Sequence, residues 1–180
     1  MISEQAKAGV DYIFIKAARA NLALSADDTC EITPEPELPV NEFPEKTIII
    51  LTISSFLFRL LTIFHIDEDD AATREYFTKG ATDRSLLEVV SEIGNLCCGA
   101  MNRDLLHHFS HLGMSTPYTL TSQSMAFLDE LKPGHVAGYA VTINGSVNMH
   151  VSLCLCEYAP IDFTVDMAAA EEETGELEFF

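Results

Sequence analysis

The chain has 180 residues, of which 48% are hydrophobic, and this length and composition are typical of a folded domain with a buried core. Its formal net charge is −18, from 28 acidic and 10 basic residues. A charge of that sign repels phosphate backbones and anionic lipid surfaces, so we expect neither nucleic acid nor a membrane as a partner.

The first segment of the chain predicts an amphipathic helix rather than an export signal. Ser3 is a favourable N-cap, and apolar residues recur at helical spacing up to about Leu24, at Val10, Ile13, Phe14 and Ala17. The segment lacks the basic start and continuous apolar run of a signal peptide. The five cysteines are an odd number and a poor disulfide framework, so we expect a cytoplasmic protein.

A connector and an apolar run follow. Residues 25–46 are acidic and carry four prolines between Glu31 and Glu45, which predicts an extended connector. Residues 47–64 are almost wholly apolar, with Arg59 inside the run, and a membrane span is the alternative interpretation of this segment. The run is short for a span of about 20 residues and rich in Ile and Thr. It therefore favours two buried strands joined at Ser54 and Ser55.

The second half of the chain mixes helices with further strands. Asp67–Asp70 caps a short helix that stops near Gly80, and Asp83 opens the longest helix, which runs to about Phe109. Residues 117–122 predict a strand, and residues 124–131 a short helix or a structured loop.

The last predicted elements form a hairpin. The strands cover residues 135–143 and 147–157 and are joined at Asn144 and Gly145. The order of elements predicts an α+β fold, with helices laid on one mostly antiparallel sheet. We expect a single domain over residues 1–166, followed by an acidic tail over residues 167–180 that is a solvated helix or disordered.

The longest helix carries the candidate site. On a helical wheel its broad apolar side contains Leu86, Val89, Val90, Ile93, Leu96, Cys97, Ala100 and Met101. The opposite stripe is polar and contains Arg84, Glu88, Glu92, Asn95, Gly99 and Asn102. Glu92 and Asn95 are three residues apart and therefore neighbours on one surface. Gly99 leaves a notch there, although any surface helix has a polar stripe and these residues are common on one.

The text around this pair, Ser-Glu-Ile-Gly-Asn-Leu-Cys-Cys-Gly-Ala over residues 91–100, resembles the CheC/CheX family of chemotaxis phosphatases. The family signature is an Asp or Ser, then Glu, Asn and a distant Pro, which match Glu88, Glu92, Asn95 and Pro117. The similarity in element order extends to about Glu157. Glu88 departs from the usual Asp or Ser, and the spacing from Asn95 to Pro117 is one residue short.

The resemblance implies a CheX-like fold and an enzyme that hydrolyses the phospho-aspartate of a CheY-type response-regulator receiver. It makes Glu92 and Asn95 the catalytic pair. The expected docking residues are Arg84, Glu88, Gly99, Asn102, Arg103 and Pro117. It implies no cofactor of the protein's own, because the phosphorylated receiver supplies Mg²⁺. Some relatives have a second site on the first helix, but here Glu4 is followed by Lys7, which indicates the one-site arrangement.

Other functions stay open at this point. The same fold without turnover would be a receiver-binding or flagellar-switch-type module, and an interaction protein acting through its acidic tail is a third possibility. A homodimer could pair through an exposed strand of the final hairpin. Cys154 and Cys156, with His150 on the same side of the last strand, lack a fourth metal ligand, and we expect the cysteines to pack beneath the helices. His107 and His111 are also weak evidence for a metal.

Overall fold

The computed structural model describes residues 1–80 and 83–166, so the predicted acidic tail lies outside the described residues. The helices and strands, in chain order, are α1 Glu4–Leu22, β1 Cys30–Pro34, β2 Thr47–Ser54, β3 Phe58–Ile66, α2 Ala71–Thr78, α3 Leu86–Leu105, β4 Gly113–Met114, β5 Tyr118–Thr121, β6 His135–Ile143 and β7 Val147–Glu157. Two 3₁₀ segments cover Val40–Glu42 and Ser122–Leu131. Within the described ranges, no helix has the length and apolar character needed to cross a membrane.

All the strands join one antiparallel sheet in the order β1-β6-β7-β3-β2, and both β4 and β5 pair with the outer side of β2. The predicted hairpin turn between β6 and β7 is confirmed, with positive φ angles of 51° at Asn144 and 66° at Gly145. The turn between β2 and β3 also lies at the predicted serines, because Ser55 N–H donates to Phe58 O at 2.9 Å. The predicted α+β fold is therefore confirmed.

The two faces of the sheet are covered differently. The helices pack on one face over a large apolar core, to which β7 contributes Val147, Met149, Val151, Leu153 and Leu155. A smaller cluster on the other face lies under the 3₁₀ segment Ser122–Leu131 and contains Ile48, Ile50, Leu61, Ile63, Met125, Leu128, Cys154 and Cys156. The prediction that the two cysteines pack beneath the helices is wrong. Strand alternation fixes which residues share a face, but not which face the helices cover.

One expectation about the sheet edges is also wrong. Residues 30–34, expected to lie in the connector, form β1, which pairs with β6 from Cys30 opposite Ile143 to Pro34 opposite Tyr139. A proline at the end of an edge strand costs no ladder hydrogen bond, which explains how a Pro-rich segment can pair. In the final hairpin β7 lies between β6 and β3, and β1 covers β6 only from Tyr139 to Ile143. A homodimer stays a prediction.

The close approach of α3 to the sheet depends on Gly94. A Cβ atom at this position would lie 3.0 Å from Leu51 Cδ1 and 3.1 Å from Phe64 Cε2, so a larger residue would push the helix away from β2 and β3. Alongside, α1 packs against α3, and Lys16 Nζ lies 3.2 Å from Asp104 Oδ2. These contacts hold α3 in one rotation about its axis and so determine which of its side chains meet solvent.

Candidate functional site

The predicted pair lies on the solvent side of α3. Glu92 and Asn95 are both exposed, whereas Val90, Gly94 and Met101 on the opposite side of the helix are buried. The two polar side chains are three residues apart and therefore project from neighbouring positions of one rigid helix. An acid and an amide are thus available together to a partner molecule. We call the surface formed by Arg84, Glu92, Asn95, Gly99 and Arg103 the α3 outer face.

The start of α3 differs from the prediction. The helix begins at Leu86, not at Asp83, and Ser85 is its N-cap. Ser85 Oγ accepts from Glu88 N at 3.2 Å, and the Glu88 carboxylate accepts from Ser85 N at 2.8 Å, which together form a capping box. The hydrogen bond from the Ser85 N–H lowers the pKa of Glu88. Its carboxylate therefore stabilises the helix start, and a docking role for Glu88 remains a prediction.

Arg84 lies just before the helix and pairs with one of the two catalytic candidates. Its Nη1 atom donates to Glu92 Oε2. The two side chains are 46% and 56% exposed, and an ion pair so open to water contributes little to stability. A partner cation can therefore replace Arg84 at Glu92 at small cost.

The remaining predicted residues of the helix differ in how accessible they are to a partner. The Asn95 amide makes no hydrogen bond to any residue that the structure describes. A Cβ atom on Gly99 would have only Arg103 Nη1 near it, at 3.9 Å, so the notch is open. Asn102 is half-buried at the edge of the face, and its Oδ1 atom is buried without a partner among the described residues. Only part of the predicted stripe is therefore available to a partner.

Pro117 is on a different element from the rest of the set. It is half-buried and lies between β4 and β5, where the outer strand along β2 is interrupted. In this interruption Ser115 Oγ accepts from Thr52 N at 2.9 Å, and Ser115 N donates to Thr52 O at the same distance. The interruption is thus anchored to β2, and the docking role of Pro117 stays a prediction.

One exposed residue of α3 was assigned to the wrong side from the sequence. Leu96, expected on the apolar side, is 56% exposed. The buried side of the helix also includes the small residues Gly94 and Cys98. Including these two on the wheel moves the centre of the buried side away from Leu96, so the signal was present in the sequence.

The weaker candidates from the sequence analysis do not assemble into a second site. His150 Nδ1 lies 2.7 Å from Glu45 Oε1, and its ring stacks on Phe43 at 4.2 Å between centroids. The Sγ atoms of Cys154 and Cys156 are 4.0 Å apart, and both are free thiols. Over residues 1–80 and 83–166, no group of three or more His, Cys, Asp or Glu side chains is placed to hold a metal ion.

Similar structures were found by shape rather than by sequence. No protein-family model and no curated protein sequence matches the chain. A crystal structure of the chemotaxis protein CheX from Vibrio vulnificus is similar with a TM-score of 0.58 and 15% identity, over 82% of this chain and 99% of that one. A CheX–CheY–BeF₃–Mg²⁺ complex from Borrelia burgdorferi gives a TM-score of 0.57 and 13% identity, over 82% and 96% of the two chains.

The chain has the CheX/CheC-like fold. The fold implied by the resemblance around Glu92 and Asn95 is therefore confirmed. The middle domain of FliM from Vibrio alginolyticus is similar as well, with a TM-score of 0.53 and 9% identity, over 83% of this chain and 92% of that one. The CheX/CheC-like fold thus occurs in proteins with different names, and function has to be argued from the site.

Proposed function

We propose that this protein hydrolyses the phospho-aspartate of a CheY-type response-regulator receiver, in the cytoplasm, during chemotaxis or related two-component signalling. The observation that carries the proposal is the exposed pair Glu92 and Asn95 on a helix whose back is buried. The CheX/CheC-like fold supports it, because the similar CheX from Borrelia burgdorferi forms a complex with CheY.

Asn95 is the residue that enters the partner's active site. Its amide oxygen accepts a hydrogen bond from the attacking water, and its amide nitrogen donates to a phosphoryl oxygen. Aspartyl phosphate is already labile, so positioning the water is the main task left to the enzyme. An amide suits this position because a carboxylate would add negative charge beside the phosphoryl group. The free state of the Asn95 side chain fits this role.

Glu92 fixes the register of the two proteins. Its carboxylate pairs with the lysine of the receiver, replacing the exposed ion pair that it makes with Arg84. The protein needs no metal of its own for this chemistry, since the Mg²⁺ belongs to the phosphorylated receiver. The complex of CheX with CheY, BeF₃ and Mg²⁺ is consistent with that division of roles.

A second candidate is a receiver-binding module without turnover. One observation favours it: the middle domain of FliM has a similar fold. Such a module would bind a phosphorylated receiver and leave its phosphoryl group in place. Binding and phosphate release must therefore be measured together.

The test uses purified receivers phosphorylated with acetyl phosphate and Mg²⁺. We expect phosphate release to accelerate when the protein is added, and Asn95→Ala to slow it by at least about 100-fold, because the variant cannot orient the water. The control is Asn41→Ala, since Asn41 is also exposed but lies in the connector. Circular dichroism should show the same fold for all three proteins.

The two candidates give different results. Retained activity in Asn95→Ala excludes Asn95 as the catalytic amide. Tight binding of phosphorylated receivers with no faster release, even in the wild type, supports the binding module instead.

A further inference from the structure

Leu96 is a large apolar residue whose side chain lies mostly outside the core. Within α3, all of which the structure describes, it is the one large apolar residue that is mostly exposed, at 56%. A single exposed leucine is common on protein surfaces and is no evidence by itself. Its neighbours give it significance, because it follows Asn95 directly and lies one helical turn from Glu92.

The surface beside Leu96 is formed by residues with little or no side chain. Gly99, three residues on, has no side chain, and Ala100, four residues on, is small and only partly buried. The nearest atom to a Cβ on Gly99 is Arg103 Nη1 at 3.9 Å. Leu96 therefore projects beside a shallow depression into which a partner surface can descend. The fully buried centre of a protein interface is more apolar than its polar rim, so an exposed leucine beside such a depression suits the centre of one.

The charges around it indicate the chemistry of the occupant. Arg84 and Arg103 lie at the two ends of the α3 outer face, in a chain whose net charge is −18. Because Glu92 pairs with Arg84, the net charge of the face comes from Arg103, and the face repels an acidic partner less than the rest of the protein does. A receiver's phosphorylation site is acidic, so charge complementarity favours a receiver here over a basic partner. Long-range attraction cannot supply the affinity, so it depends on short-range contacts, and an apolar contact is available on this face in addition to the ion pair of Glu92 and the hydrogen bonds of Asn95.

We propose that Leu96 is the apolar docking contact of the site, and that the receiver presents an apolar side chain beside the lysine that pairs with Glu92. This inference rests on the proposed receiver-directed function. It adds a determinant of receiver choice, because a receiver with a polar or charged residue at that point would leave Leu96 against an unpaired polar group.

The test separates binding from chemistry. Leu96→Gln and Leu96→Ala are measured with the phosphorylated receiver that the wild type dephosphorylates fastest, and with the same receivers activated by BeF₃⁻ for binding alone. We expect the dissociation constant and KM to rise at least about tenfold in Leu96→Gln, while kcat at saturation stays within about twofold of the wild type. Leu131→Gln is the matched control, since Leu131 is exposed on the opposite face of the sheet.

Each outcome decides the inference. If Leu96→Gln and Leu131→Gln bind the receiver equally well, Leu96 is not the docking contact, although the proposed phosphatase can still stand. If Asn95→Ala keeps its activity while Leu96→Gln loses affinity, the docking contact holds and the catalytic assignment fails. If the wild type neither binds nor dephosphorylates any receiver, both proposals are wrong. Thermal unfolding of both Leu96 variants shows whether a loss of binding reflects a loss of fold.

Discussion

The imidazole of His65 lies on the sheet face opposite the helices, among groups that two strands and the connector supply. His65 is 1% exposed, and its Nε2 atom lies 2.7 Å from Ser152 Oγ. Phe43 of the connector packs edge-on against it at 4.9 Å between centroids. Burial, and then the nearby His150, lower the pKa of His65 from 6.5 to about 3. The folded protein therefore keeps this ring neutral in mild acid.

This neutral ring makes stability depend on pH. Between about pH 6.5 and pH 3 the unfolded chain binds a proton at His65 that the folded protein does not bind, so the free energy of unfolding falls as the pH falls. We expect the contribution of His65 to be about 2 kcal/mol lower at pH 5 than at pH 8. Urea unfolding at the two pH values, for the wild type and His65→Gln, measures it. Equal losses in both proteins would show that another group is responsible.

At the same scale, the sequence predicted the exposure of Glu92 and Asn95 better than the contacts that the candidate residues make. The spacing of Glu92 and Asn95 was enough to place both on one exposed surface. The ion pair between Arg84 and Glu92 was not predictable, because Arg84 lies outside the helix and the wheel treats it as part of the helix. The position of Leu96 was predicted wrongly because large apolar residues were weighted and small buried ones were not.

At the scale of elements, two glycines of α3 have opposite surroundings. Gly94 is buried against side chains of β2 and β3 and sets the distance between helix and sheet. Gly99 faces open space. The absence of a side chain there relieves no steric clash, and glycine makes the helix less stable than alanine would. Packing therefore requires a glycine at Gly94 but not at Gly99 of the same helix.

This contrast predicts that a substitution at Gly99 raises the stability of the protein and lowers its activity. We expect Gly99→Ala to raise the free energy of unfolding by about 0.5–1 kcal/mol, because alanine is the better helix former and its methyl group fits. The same variant should lower kcat/KM for a phosphorylated receiver by at least about threefold, because the methyl group fills the notch that the partner enters. Urea unfolding and phosphate release measure the two effects. Higher stability with unchanged turnover would leave Gly99 without a docking role.

The strands with strong local sequence patterns were predicted, and the strands that form only through long-range pairing were missed. Alternation along β7 and the turn at Asn144 and Gly145 are local features, and both were read correctly. β1 was missed because its residues resemble the rest of the Pro-rich connector, and only its pairing with β6 makes it a strand. The two-residue strand β4 was missed for the same reason, since it exists through its pairing with β2. Long-range pairing leaves no local signal in a single sequence.

At the scale of the whole molecule, charge opposes the proposed encounter. A chain with a net charge of −18 repels an acidic receiver at long range, and this repulsion is felt across about 30 Å at 0.01 M salt but only about 8 Å at 0.15 M. The CheX/CheC-like fold places α1 and α3 together on one face of the sheet, with the α3 outer face turned to solvent. Arg84 and Arg103 on that face act at short range, where the approach of the two proteins is decided.

A pair of matched variants isolates this local effect. Arg103→Gln and Lys132→Gln each change the net charge from −18 to −19, but Arg103 is on the α3 outer face and Lys132 follows the 3₁₀ segment on the opposite face of the sheet. At 0.01 M salt we expect Arg103→Gln to associate with a BeF₃⁻-activated receiver at least about threefold more slowly than Lys132→Gln. At 0.3 M salt the two rates should converge, since screening removes the difference. Stopped-flow association over this range gives both rates, and equal rates at low salt would place the docking surface elsewhere on the molecule.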